Sequence, residues 1–221
     1  MKMRRYLLGT GLLVIIGLGA ACSHESKYQA ARETGKEVAE AAGGKVQFAD
    51  QLALLDKKQV ALGQLALRKS SDPQVRAFAH QLIENHEQHH ASLQEYADAS
   101  ALRLAMIDLS TESGVGGAGE AGKVGVTESV NKQSAEYDEK IYKQKEEFRK
   151  QAQALSGMSG REFDKAFLAQ VEKDQKRGQE LVDQGLKEYS DDGALGLLLG
   201  RSAPIFEHQH EHAKALKESF D

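Results

Sequence analysis

The sequence predicts an all-α fold: a four-helix bundle with one additional amphipathic helix in the crossover between its second and third members. Apolar residues recur at spacings of three and four along four long segments, and no segment alternates apolar and polar residues as a strand does. Asp72-Pro73 and Ser159 stand where helices would begin. A fifth segment is highly charged and keeps apolar residues at near-heptad spacing, which predicts the outer helix.

The first two bundle helices are predicted over residues 46–69 and 72–100. A turn of a few residues joins them, so they should lie antiparallel. Gly63 inside the first helix predicts a close approach to a neighbouring helix. The two apolar stripes are Phe48, Leu52, Leu55, Gln59, Leu62 and Ala66, and then Val75, Ala79, Leu82, His86, His89, Leu93 and Tyr96.

The second half of the chain begins with a glycine-rich segment, residues 108–126, which predicts a flexible crossover linker. The charged outer helix is expected over residues 127–155. Two further bundle helices follow.

The third bundle helix should open at Ser159, which forms a capping box with Glu162, and run to about Tyr189. The fourth is expected over residues 192–220, with a kink at Pro204 because proline lacks a backbone donor.

Residues 1–21 have the pattern of a secretory signal: basic residues, an apolar run from Leu7 to Leu18, and small residues before Cys22. The segment 18–22, LGAAC, resembles the lipobox of bacterial lipoproteins, with Gly19 where leucine is usual. The resemblance implies cleavage before Cys22 and its lipidation. A plain signal peptide with an incidental cysteine, or a twin-arginine signal at residues 4–5, remains an alternative.

The predicted location is the bacterial cell envelope, where the lipid anchor would attach the protein to a membrane. Serine and not aspartate follows Cys22, which resembles lipoproteins that are sorted to the outer membrane by default. The resemblance predicts a domain anchored to the outer membrane and facing the periplasm. Residues 22–44 are rich in Ala, Glu and Lys without a clear apolar stripe, and are expected to be a solvated tether before a domain spanning residues 45–220. The net charge of −4 makes nucleic acid a poor partner.

Each of the four bundle helices carries a polar residue near the middle of its apolar stripe. Buried polar groups are costly without partners, so four of them at one level are expected to meet. These residues are Gln59, His86, Asp174 and Gln209. They predict a hydrogen-bonded polar layer that fixes the register of the helices.

A transition-metal site is the alternative interpretation of the same region. Imidazole and carboxylate ligands together suit zinc, copper or nickel. The candidate ligands are His86, His89, His90, Asp174, His208 and His212. The histidines between residues 208 and 212 are also typical of a solvated surface that binds metal adventitiously.

Residues 86–90, HEQHH, also match the H-E-x-x-H motif, in which two histidines hold zinc and a glutamate acts as general base. Zinc hydrolases need a third ligand further along the chain and normally a sheet beside the helix, and the sequence predicts no strand. The bundle already accounts for His86. The preferred hypothesis is therefore a non-enzymatic binding or structural module.

Three segments carry a resemblance to a known family: 61–86, ALGQLALRKSSDPQVRAFAHQLIENH; 160–175, GREFDKAFLAQVEKDQ; and 202–216, SAPIFEHQHEHAKAL. They resemble the predicted secreted or outer-membrane ferritin-like domains of the domain of unknown function family 4142. The resemblance covers about residues 45–220. It implies a ferritin-like four-helix bundle and no known reaction.

The chain departs from the pattern of that family at positions that bear on metal binding. Gln59 and Ala61 stand where acidic residues are usual, and Asp174 and Gln209 stand where histidines are usual. His86 alone matches directly. A di-iron site needs a glutamate from each of two helices and Glu-x-x-His from two others, so the resemblance does not imply a ferroxidase.

Overall fold

The protein is described by a computed structural model over residues 21–102, 104, 109 and 128–220. Every regular element in these ranges is an α-helix, which confirms the predicted fold class. The helices are α1 (Ala21–Lys69), α2 (Pro73–Ala99), α3 (Glu128–Gly157), α4 (Gly160–Glu188) and α5 (Gly193–Glu218). None of them contains a stretch apolar and long enough to cross a membrane. The predicted signal peptide, apart from its last residue, and the glycine-rich linker, apart from Leu109, lie outside the described residues.

The chain divides into two compact units, residues 1–41 and residues 42–221. The described part of the first unit is helical, and α1 includes all of residues 22–44. The solvated tether expected there, which could be partly helical, stays a prediction as to its solvation and its role. Alanine, glutamate, lysine and glutamine have high intrinsic helix propensity, and a helix of such residues needs no apolar stripe to form.

In the second unit, α1, α2, α5 and α4 form a closed ring of antiparallel neighbours. Two contacts for each pair of neighbours show that they run in opposite directions. On α1 and α2, Asp56 meets His89 and Gly63 approaches Ile83, and on α2 and α5, Phe78 packs on His212 and Tyr96 meets Asp192. On α4 and α5, Glu172 meets Lys217 and Gly185 approaches Leu199, and on α1 and α4, Phe48 approaches Gly185 and Gln59 meets Asp174. The chain therefore runs as an antiparallel four-helix bundle in which α1 and α5 are diagonal to each other.

The fifth helix, α3, runs alongside α1 in the same direction. Tyr137 donates a 2.9 Å hydrogen bond to Asp50, the Lys58 ammonium lies over the Phe148 ring, and Lys69 donates to the carbonyl of Ser156. This is the additional amphipathic helix that the sequence placed in the crossover between α2 and α4.

The bundle core consists of two apolar clusters, one toward each end. The first contains residues such as Leu62, Phe78, Phe163 and Leu216. The second contains residues such as Phe48, Leu93, Leu195 and Phe206. On every bundle helix, one or two buried polar residues fall in sequence between the segments that supply these two clusters: Asp56 and Gln59, His86 and His89, Asp174 and Gln175, and Gln209.

The helix starts follow the sequence signals in part. Asp72 caps α2, because its Oδ1 accepts from the backbone N–H of Gln74 at 2.8 Å and of Val75 at 3.0 Å. Ser159 precedes α4 but its side chain makes no capping bond, so the predicted capping box was wrong. Gly160 has φ +57, a left-handed conformation that turns the first peptide away from the geometry that a capping box needs. α5 continues through Pro204 as one helix, and the kink there stays a prediction.

Glycines allow the closest helix contacts. A Cβ on Gly63 would lie 2.7 Å from Cγ1 of Ile83, which confirms the predicted close approach of α1 and α2. A Cβ on Gly178 would lie 2.3 Å from the Phe206 ring, and one on Gly185 would lie 2.3 Å from the Phe48 ring. Such distances are far below any van der Waals contact, so α4 can pack at this distance only with glycine at these positions.

Candidate functional site: a buried polar layer

The centre of the bundle holds a hydrogen-bonded network that separates the two apolar clusters. It contains two residues from α1, two from α2, two from α4 and one from α5. All seven are less than 5% exposed: Asp56, Gln59, His86, His89, Asp174, Gln175 and Gln209.

Asp56 is the acceptor at the centre of this network. Its Oδ1 lies 2.8 Å from Nδ1 of His86 and 2.8 Å from Nδ1 of His89, and its Oδ2 also lies 2.8 Å from Nδ1 of His89. Burial alone would raise the pKa of Asp56, but the charge of His89 and the hydrogen bonds from both imidazoles outweigh it and lower the pKa. The carboxylate is therefore ionised, and each histidine carries a proton on Nδ1.

The other nitrogen of His86 faces two amide side chains. Its Nε2 lies 2.9 Å from Oε1 of Gln209 and 2.9 Å from Nε2 of Gln175. One ring nitrogen cannot at the same time donate a hydrogen bond to Oε1 of Gln209 and accept one from Nε2 of Gln175. With a neutral ring the Gln209 amide turns to donate, and with a cationic ring the Gln175 amide turns to accept. The amide orientations are thus coupled to the charge of His86.

A second group of polar contacts extends from Gln175 toward the outside of the bundle. Gln175 donates to Oε1 of Gln59 at 3.3 Å, and Gln59 donates to Oδ2 of Asp174 at 3.1 Å. The other oxygen of Asp174 lies 3.3 Å from the Lys58 ammonium. Both carboxylates of the network therefore have partners: Asp56 accepts from the two imidazoles, and Asp174 is paired with the Lys58 ammonium.

The four polar residues expected from the sequence are all buried in this layer. The structure joins them in two pairs, His86 with Gln209 and Gln59 with Asp174, which are linked through Gln175. His86 and Asp174 were expected to meet and do not bond directly, because Gln175 and Gln59 lie between them in the chain of contacts.

The remaining candidate metal ligands are divided among different surroundings. His89 belongs to the network, and its Nε2 is buried without a hydrogen-bond partner. His90 is half-buried, and burial lowers its pKa. The His208 and His212 rings pack on each other at 5.9 Å, with His212 also edge-on to Phe78 at 4.9 Å.

Within the described residues no three histidine, cysteine, aspartate or glutamate side chains form a group that could hold a metal ion. The H-E-x-x-H residues likewise do not converge on an open site. His86 is fully buried and hydrogen-bonded, whereas Glu87 is exposed. Whether a metal binds stays a prediction, to be tested by experiment.

Asp56 and Gln175 were missed by the sequence analysis. The predicted α1 stripe passes through Leu55 and does not include Asp56. A signal was present: Leu52, Asp56, Gln59 and Gly63 also follow the spacings of four and three that mark one helix face. Gln175 directly follows Asp174, and adjacent helix residues face different directions, so both can be buried only in a helix surrounded on two sides.

Comparison with known proteins agrees with the fold and the family resemblance. The family model for the domain of unknown function DUF4142 matches residues 30–216. No curated protein matches the sequence significantly. A solved structure with a similar fold is that of a predicted secreted protein, DUF305, from Streptomyces coelicolor, at 12% sequence identity and a TM-score of 0.54, over 79% of this chain and 91% of that chain.

An identity of 12% with that structure demonstrates a shared helical architecture and nothing about activity. The family match, by contrast, extends over most of the sequence and over every helix of the bundle. The chain therefore belongs to the DUF4142 family, a domain of unknown function.

Proposed function

We propose that this protein is a lipid-anchored, extracytoplasmic helical-bundle module with a non-enzymatic binding or structural role. The observation that carries the proposal is the closure of the polar layer. Asp56 and His86 are 0% exposed and bond to each other and to amides inside the core. General acid–base catalysis requires such groups to reach a substrate, and this arrangement instead suits a network that fixes helix register.

The anchor and its location are supported by the N-terminal sequence. The signal-like residues 1–21 end at Cys22, the one cysteine of the chain. Multiple acyl chains on that residue would make a stable anchor, where one chain is marginal. Ser23 supports the outer membrane, and the predicted secretion of the DUF305 protein with a similar fold agrees with an extracytoplasmic address.

Cys22→Ala tests the anchor. In the bacterial host, the wild-type protein is expected in the membrane fraction with an acyl modification on Cys22 by mass spectrometry, and the variant in the soluble periplasmic fraction. A wild-type protein that is soluble and unmodified would contradict lipidation. Separation of inner from outer membranes on a density gradient then tests the sorting.

A second candidate function, transition-metal binding, has one observation in its favour. Asp56 fixes Nδ1 of His89 at 2.8 Å, and Nε2 of His89 has no partner. A carboxylate on one imidazole nitrogen is the usual way in which proteins orient the other nitrogen toward a metal. An H-E-x-x-H zinc hydrolase is less well supported, since Asp56 and Gln209 already occupy both nitrogens of His86.

Elemental analysis of untagged protein, with His86→Ala beside it, separates the two candidates. For a structural layer we expect no stoichiometric zinc, copper or nickel, and a lower melting temperature for the variant. About one metal ion per chain in the wild-type protein, lost in His86→Ala, would contradict the structural role. His80→Ala, at an exposed position of the same helix, is the matched control.

A further inference from the structure

The polar contacts between α1 and α4 form a chain of hydrogen bonds whose direction is fixed at its outer end. Oδ2 of Asp174 accepts the hydrogen bond from Nε2 of Gln59 at 3.1 Å, and the Lys58 ammonium lies 3.3 Å from Oδ1. A carboxylate has no proton to donate, and an ammonium has no lone pair with which to accept. The Gln59 amide therefore has to keep its NH2 group toward Asp174 and its carbonyl oxygen toward Gln175.

The same constraint passes from Gln59 to Gln175 and then to His86. Nε2 of Gln175 lies 3.3 Å from Oε1 of Gln59 and 2.9 Å from Nε2 of His86. An amide NH2 group has two hydrogens, so it can donate to both atoms at once. If the Gln175 amide turned, two carbonyl oxygens would face each other in the core, where misoriented polar groups are costly. Nε2 of His86 is therefore an acceptor.

Gln209 is the amide that adjusts to this direction. Its Oε1 lies 2.9 Å from Nε2 of His86, and two acceptors cannot form a hydrogen bond without a proton between them. Nε2 of Gln209 is buried without a partner, so this amide loses no hydrogen bond when its NH2 group turns toward the ring. The ring is then neutral, with its one proton on Nδ1 in the hydrogen bond to Asp56.

The outer end of the chain lies at the interface with α3. Lys58 and Asp174 line a small cleft between α1, α3 and α4, and their side chains are 12% and 6% exposed. The Lys58 ammonium also lies 5.7 Å from the centroid of the Phe148 ring of α3. The other charged residues that line the cleft are Glu147 on α3 and Lys173 and Arg177 on α4. The ion pair therefore connects the α3 interface with the centre of the bundle.

We propose that the Lys58–Asp174 pair is a conformational latch: through Gln59 and Gln175 it sets the hydrogen-bond direction of the layer and holds Nε2 of His86 as an acceptor. This goes beyond the fixing of helix register proposed above, because the state of the central imidazole depends on an ion pair at the α3 interface. It rests on the closed polar layer of that proposal. Elemental analysis and membrane fractionation test the proposed function, whereas the state of one ring nitrogen tests the latch, so the two can fail separately.

Asp174→Asn is expected to reverse the latch. Lys58 can pair only with the oxygen of the new amide, which turns its NH2 group toward Gln59. Gln59 and Gln175 then turn as well, and the carbonyl oxygen of Gln175 faces Nε2 of His86 and favours a proton there. The loss of a nearby negative charge has by itself the opposite effect, since it disfavours a cationic ring. The sign of the change therefore separates the hydrogen-bond chain from simple electrostatics.

The measurement is ¹⁵N NMR of the imidazole nitrogens in the full-length protein in detergent at neutral pH, because an unprotonated ring nitrogen resonates far downfield of a protonated one. We expect a downfield resonance for Nε2 of His86 in the wild type and an upfield shift to the protonated range in Asp174→Asn. Asp183→Asn, at an exposed position of α4, is the matched control and should leave the resonance unchanged. Gln59→Met combined with Asp174→Asn interrupts the chain, so only the charge effect remains and the downfield resonance should return.

Each of these spectra can contradict the latch, and circular dichroism confirms that each variant is folded. A protonated Nε2 of His86 in the wild-type protein would overturn the proposal without any variant. An Asp174→Asn protein in which this nitrogen stays unprotonated would overturn it as well. The same upfield shift with and without Gln59→Met would show that the coupling does not run through the amides, and would also overturn it.

Discussion

The centre of the bundle and the α1–α3 interface are built in opposite ways. In the centre, polar side chains are fully buried, and aromatic rings fill the space beside glycines: Phe206 packs against the rings of both His86 and His89 and against Gly178. Between α1 and α3, the polar contacts include the hydrogen bond from Tyr137 to Asp50, and a cavity of about 740 Å³ remains.

The centre of the bundle specifies the fold, whereas the interface between α1 and α3 leaves space that a ligand could occupy. A buried network tolerates few arrangements, because every misplaced donor or acceptor is left unpaired. A helix attached through a partly apolar face and a few polar contacts can retain space beneath it.

Asp56→Asn is expected to have the largest effect on stability. It removes the charge that holds two buried imidazoles, and breaking a buried pair on one side typically costs about 3–5 kcal/mol. Asp183→Asn, at an exposed position of α4, should change the free energy of unfolding by less than about 0.5 kcal/mol. Urea denaturation measures both. Equal, small effects would show that the layer contributes little to stability.

The effect of Asp56 should also depend on pH. The pKa of Asp56 is lowered in the folded protein from its ordinary value of 3.8. Its contribution to stability is therefore fully present above the ordinary range and is lost as the pH falls through the folded-state pKa. The stability difference between wild type and Asp56→Asn should shrink in acid, and a difference that grows there would contradict the assignment.

Two glycines with opposite surroundings give the second prediction. In Gly178→Ala the new methyl group would lie 2.3 Å from the Phe206 ring, which the flanking histidine rings prevent from moving freely, so a loss of about 1–3 kcal/mol is expected. Gly200→Ala meets nothing within 4 Å and should gain about 0.5–1 kcal/mol from helix propensity. Thermal denaturation should move the two melting temperatures in opposite directions.

Tyr137→Phe gives the smallest effect, on the loosely packed side. It removes the 2.9 Å hydrogen bond to Asp50 and should cost about 0.5–1.5 kcal/mol. Tyr142→Phe, on the same helix at 63% exposure, should be neutral. Hydrogen exchange is the more informative measurement, because faster exchange confined to α3 is expected. Faster exchange throughout the bundle would show that α3 is integral to the core.

Much of the fold follows from local sequence patterns. The spacing of Leu52, Leu62 and Leu82 determined which helix faces are buried, and Asp72-Pro73 determined where α2 begins. His86 could be assigned to the core because it occupies a position of the apolar stripe. Residues 22–44 lie within α1, in keeping with the high helix propensity of their alanine, glutamate and lysine residues.

Local patterns in the sequence are enough to locate the helices, their buried faces and the polar residue near the middle of each apolar stripe. They do not reveal that Asp56 joins His86 to His89, that Gln175 separates His86 from Asp174, or that space remains beneath α3, which all depend on how the helices pack. Periodicity fixes only the direction of a side chain around its own helix axis. Which partner it meets depends on the axial register of neighbouring helices, and that is set by packing over the whole core.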